Sequence, residues 1–130
     1  MTRRATGTFT TAFEPLPIDD DAVSRMQVHK TIEGDLTGTG RAQMLSVGTP
    51  IDGSAGYVAI DRITGTLHGR SGSFVLQHYG LMDRGTGTLL VQVVPDSGTD
   101  DLAGLSGTFQ IDNTSDAHRY VFEYELAGPA

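Results

Sequence analysis

Asp61, His78 and Lys30 are the residues of this chain whose types and positions can do chemistry. His78 closes the run Phe74-Val75-Leu76-Gln77 and shares a face with Phe74 and Leu76, because side chains two apart in a strand point the same way. Asp61 shares a face with Ile63 and Leu67. A carboxylate beside an imidazole on a mostly apolar face makes an acid/base pair, with pKa values moved by burial. The plainer reading is a hydrogen-bonded structural pair, or a histidine at a rim. Lys30, the only lysine, lies on one face with Met26, Val28 and Ile32. It suits an anionic ligand or a Schiff base. The plainer reading is a stem that carries its ammonium to a rim or to an acid.

A hairpin must bring Asp61 and His78 together. Residues 57–67 and 73–81 alternate as strands and flank Gly69-Arg70-Ser71-Gly72. A two-residue loop at Arg70-Ser71 sets Gly69 opposite Gly72, Leu67 opposite Phe74 and Ile63 opposite His78. Asp61, Ile63, Leu67, Phe74, Leu76 and His78 then share the more apolar face, taken as inward, and Arg62, Thr64, Val75, Gln77 and Tyr79 share the other. A loop one residue longer makes Arg62 and His78 neighbours in one site; Arg62 and Gln77 are ligand-binding candidates under such a changed register.

Further strands are expected at 5–13, 24–33, 35–47, 86–94, 105–112 and 118–126. In the last, Tyr120, Phe122 and Tyr124 alternate with Val121 and Glu123 and point inward. Thr-Gly-Thr recurs at 6–8, 37–39, 64–66 and 86–88, a β-branched pair around a point of bending or close approach. No window carries a helical apolar stripe; residues 18–26 read as an acidic loop. Pro95–Asp101 reads as a solvated turn, not a calcium loop, since no Glu closes it at EF-hand spacing, and Leu102 to Gly107 as a chain reversal with two leucine anchors. The expected fold is all-β: one domain over 1–130, a single closed antiparallel barrel of about eight strands, lipocalin-like in appearance, with a sandwich as the alternative.

Composition removes several function classes. The chain has 130 residues and no Cys or Trp, so thiolate metal sites, cysteine nucleophiles and disulfides are excluded. His29, His68 and His118 are scattered without zinc-ligand spacing, and Ser46, Ser73 and Ser106 lack a nucleophile elbow. No dinucleotide or phosphate loop is present, so no cofactor and no metal are expected. A net charge of −7 disfavours nucleic acid. No apolar segment follows Arg3-Arg4, and none reaches membrane-spanning length, so a cytoplasmic location is expected, with no membrane partner.

Three stretches together resemble one family. They are V-x-K-x-x-x-G-D-L-x-G from Val28 to Gly38, D-R-x-T-G-T-L-x-G-R-S-G-S-F-V-L-Q-H from Asp61 to His78, and V-V-P-x-S-G-T-x-x-L-x-G-L-x-G from Val93 to Gly107. They are similar to a bacterial family of small proteins of unknown function whose fold is like the allene oxide cyclase barrel. The resemblance covers about residues 5 to 126. It implies an eight-stranded barrel and no established activity. Its members often carry an acidic residue and an Arg where Asp61 and Arg62 stand, and a Trp near Val91, which this chain lacks.

Three functions fit these residues. The first is a binding barrel whose bore, lined by Phe74, Leu76, Tyr120, Phe122 and Tyr124, holds a small apolar or amphipathic molecule oriented by Asp61, His78 or Lys30. The second is a cyclase or isomerase working in the same bore, with Asp61 or His78 polarising or moving a proton. The third is a packed barrel that serves only self-association. Outward-facing Leu90, Val94 and Val121 favour a homodimer or higher homo-oligomer.

Overall fold

The computed structural model describes residues 2–112 and 118–126. The expected domain over 1–130 also includes Met1, 113–117 and 127–130, which lie outside the described residues. Eight strands follow one another: β1 (Arg3–Leu16), β2 (Val23–Gly34), β3 (Leu36–Gly48), β4 (Ala55–Leu67), β5 (Arg70–Asp83), β6 (Thr86–Val93), β7 (Leu105–Asp112) and β8 (His118–Leu126). Each pairs antiparallel with the next, and β8 returns to β1, so the sheet is a closed barrel and not a sandwich. Closure gives every strand a neighbour on each side, although β6 and β7 share only the pair Gln92 and Thr108. The strands expected from alternation all form, several with longer ends.

The β4–β5 hairpin differs from the expected one. Leu67 faces Arg70, Ile63 faces Phe74, Asp61 faces Leu76 and Ala59 faces His78. The loop is His68-Gly69, with φ of 46° and 81°, the paired left-handed geometry of a type I′ turn. Gly72 is not a turn residue: a Cβ there would stand 2.2 Å from the Thr99 carbonyl oxygen, where the β6–β7 connection crosses β5. The shift is four residues, an even number, so inward and outward sets are unchanged. Asp61, Ile63, Leu67, Phe74, Leu76 and His78 are buried, while Arg62, Thr64, Gln77 and Tyr79 are exposed. The alternative that draws Arg62 and Gln77 inward is therefore corrected.

One end of the barrel is filled. It carries the β2–β3 and β4–β5 turns and the 94–104 connection, whose 3-10 turn at Asp100–Leu102 lays Leu102 over the opening. The two anchors, Leu102 and Leu105, are buried with Ala5, Leu36, Leu67 and Phe74. Phe74 stacks on Phe122 at 5.7 Å between centroids, Phe109 on Tyr120 at 5.1 Å, and Tyr124 leans on Phe122 at 5.2 Å. Glycines make room for these rings: Gly7 pairs with Tyr120, and a Cβ on Gly7 would stand 2.5 Å from the Tyr120 hydroxyl. That hydroxyl accepts from the Leu36 N–H at 3.0 Å and donates towards the carbonyls of Glu33 and Leu36, fixing the β2–β3 turn to β8. The opposite end is looser. Phe13 and Leu89, inward by parity, are 57% and 42% exposed there.

Candidate functional site

Asp61 sits midway along β4, inside the barrel and fully buried. Its strand neighbour on β3 is Ala42, and Ala42 in turn faces Val28 of β2. Lys30 of β2 faces Gly40 of β3. These two small residues on β3 leave the gap through which Lys30 reaches across a whole strand. Its Nζ donates to Asp61 Oδ2 at 2.8 Å. The same oxygen lies 3.3 Å from His78 Nε2, one step along β5 and diagonal to Asp61 over Ala59. Two donors thus converge on one carboxylate oxygen.

Around this trio the wall is mostly apolar. The Lys30 ammonium lies 5.4 Å from the Phe9 ring centroid, within cation–π range. The Tyr57 ring lies over Gly80, where a Cβ would meet Tyr57 Cε1 at 2.3 Å, and its centroid is 6.4 Å from that of His78. Asp61 Oδ1 is buried and has no hydrogen-bond partner among the described residues. A Cβ on Gly40 would come within 3.0 Å of it.

The electrostatics follow from this packing. Burial pushes the Asp61 carboxyl up, but the His78 hydrogen bond and the Lys30 charge and hydrogen bond overcome it, and the net shift is downward. Asp61 is therefore a held anion at neutral pH. Its charge and burial, burial first, push the Tyr57 phenol up. A carboxylate so held is a weak base. Asp61 fixes the orientation of the His78 ring through Nε2.

The sequence candidates divide by height in the barrel. Asp61, His78 and Lys30 come together. Leu76 lies one pair below His78, directly across from Asp61. Phe74, Tyr120, Phe122 and Tyr124 point inward as expected, but they sit in the filled half with their faces spent on one another, so they are core rather than lining. Tyr57 was not singled out from the sequence. The signal was present, since Tyr57, Ala59 and Asp61 alternate on one face of β4. No group of three or more His, Asp or Glu among the described residues could hold a metal ion.

Two concavities lie on the outer wall, not in the bore. One of about 860 Å³ spans β2–β5 and includes Arg62 and Gln77. Another of about 540 Å³ spans β1, β7 and β8. No helix among the described residues is long and apolar enough to cross a membrane.

A closed eight-stranded antiparallel meander with a buried Lys–Asp–His cluster defines the class of protein. The chain belongs to the family described as protein of unknown function (DUF3224), which matches residues 5–124. It is similar to the crystal structure of a protein of unknown function from that family in Shewanella oneidensis MR-1. The two are 39% identical, each chain is covered in full, and the TM-score is 0.94. No curated protein matches the chain.

Proposed function

We propose that this barrel binds a small apolar or amphipathic molecule in its open half, with Lys30, Asp61 and His78 as the polar floor. The observation that carries this reading is Asp61 Oδ1, a buried carboxylate oxygen with no hydrogen-bond partner among the described residues. Such an orphan costs about 1–3 kcal/mol or more, and a hydroxyl or water delivered beside it would recover that. Val28, Ala59 and Tyr57 share the inward face with this cluster, and Phe13, inward by parity, is exposed towards the same end. Few polar groups set among apolar inward side chains is the composition of a small-molecule site.

A neutral probe tests it. 1-Octanol added to methyl-labelled protein is expected to move the Val28 and Val91 methyl resonances saturably. Ala59→Phe, which puts a ring beside the cluster, should abolish the shift. No saturable movement in the parent protein would overturn the reading.

A second reading is supported by one contact, His78 Nε2 to Asp61 Oδ2. In it the pair acts as an oriented base in a cyclase or isomerase reaction of the same small molecule. His78→Gln then abolishes turnover and keeps binding; turnover at full rate in that variant removes the enzyme reading.

A further inference from the structure

We infer that the outer wall of β2–β5 carries a second, separate binding site, for an amphipathic anion with one carboxylate or phosphate head on an apolar body. The chain has 16 acidic and 9 basic residues, yet the groove of about 860 Å³ on this wall is lined by Arg25, Arg41 and Arg62 and by no acid. Arg41 and Arg62 stand directly opposite each other on β3 and β4. Like charges in that position repel and weaken a sheet unless something answers them. Nothing charged does among the described residues. Arg25 Nη2 donates to Gln43 Oε1 at 2.7 Å, Arg41 Nη2 lies 2.8 Å from the accepting oxygen of the Gln27 amide, and Arg62 makes no side-chain hydrogen bond or ion pair with the described residues. Two guanidinium forks on adjacent strands, roughly 5 Å apart at Cβ, are spaced to share one carboxylate or phosphate.

The rest of the groove supplies the apolar part. Leu45, Val58 and Ile60 lie on the same outer face and are 43%, 49% and 53% exposed. Leu45 pairs with Val58, and Ile60 faces Gln43 one step nearer the arginines. A charged end and an apolar end lie within one small-molecule-sized groove. A second copy of the chain fits less well. A twofold contact centred here would set the arginines against their own copies, with no acid in the groove to separate them. An added peptide strand has no free edge to pair with on this wall, because β2–β5 each pair on both sides.

Calorimetry with 2-naphthyl phosphate and 2-naphthoate tests the inference, with inorganic phosphate and 2-naphthalenemethanol as head-only and body-only controls. Both amphipathic anions should bind with one-to-one stoichiometry, and the two arms decide between the phosphate and the carboxylate head. Each control should bind at least about tenfold more weakly, and added salt should weaken the anions further. Arg41→Gln with Arg62→Gln should cost about tenfold or more, while Arg84→Gln, outside the groove, changes nothing. The Val58 and Ile60 methyl resonances should move on binding, not those of Val28 and Val91, which separates this site from the bore. Equal binding of the neutral alcohol, full affinity in the double arginine variant, or shifts confined to Val28 and Val91 would each overturn it. So would a dimer in light scattering that Ile60→Glu splits into monomers, because that assigns the wall to a second copy.

Discussion

Lys30 of β2 and Asp61 of β4 are joined at 2.8 Å across the intervening strand, over Gly40 and Ala42. The lysine side chain is 11% exposed and the aspartate 0%. The pair is therefore a buried one, and its energetics are governed by what happens when one member is left alone.

Removing either charge is expected to cost far more than removing both. Asp61→Leu or Lys30→Met should each lower stability by about 3–5 kcal/mol, the range for an orphaned buried charge. The double variant should be less destabilised than the sum of the singles, because nothing charged remains to be solvated. Urea denaturation of the four proteins in a double-mutant cycle measures the coupling. Additive losses would mean that the two side chains do not interact.

Acid should unfold the protein partly through Asp61. Its carboxyl lies below the ordinary 3.8 in the folded state, despite burial, because of His78 and Lys30. The folded form therefore binds fewer protons than the unfolded form between the two values. The contribution is present in full above the ordinary carboxylate value and is lost as pH falls through the folded one. Other acids also titrate there, so the comparison is with Asp61→Asn. The parent protein should lose more stability than the variant as pH falls below about 4, read from urea midpoints. Parallel curves would contradict the assignment.

Gly40→Val should break the reach of Lys30. Even a Cβ at Gly40 stands 3.0 Å from both Asp61 Oδ1 and Ile63 Cδ1, and 3.3 Å from Lys30 Cβ. Two further methyl groups have nowhere to go, and overpacking of this kind costs about 1–3 kcal/mol. The variant should also show the flattened acid dependence of Asp61→Asn. A stable Gly40→Val protein with parental acid behaviour would show that the gap in β3 is not needed.

Tyr120→Phe should cost about 1–3 kcal/mol without changing the fold, since it strands the buried Leu36 N–H. Amide exchange localises the loss. Leu36 should exchange markedly faster in the variant, while the β4–β5 ladder keeps its protection relative to the lowered global stability. Unchanged exchange at Leu36 would mean that the hydroxyl does not hold the turn.

The strands and their faces were legible because apolar and polar residues alternate strongly in β2, β4, β5 and β8. The β4–β5 register was not. Gly69 and Gly72 bracket Arg70-Ser71 symmetrically and invite a turn between them, but His68 takes the left-handed conformation at φ 46° and Gly72 serves the passing Thr99 instead. A glycine required by a distant segment looks, in one sequence, like a glycine required by a local turn. Asp61 and His78 were legible as a pair because an error of four residues keeps their faces. Their union with Lys30 was not, because six residues, 49–54, join β3 to β4 and leave the offset between those strands free. The filling of the lower half was also hidden, since inward aromatic rings read alike whether they line a space or fill it.

The pairing of β1 with β8 has a consequence for assembly of the chain. Arg3 and Tyr124 are partners, so the ring's final seam joins positions more than a hundred residues apart. Until the last strand arrives, the partly folded sheet offers a bare border on each side to any other nascent chain. The ladder between β6 and β7 registers a single pair, Gln92 with Thr108, so a late-forming intermediate has a ready place to part. Yield on refolding should therefore fall with protein concentration well before equilibrium stability is affected.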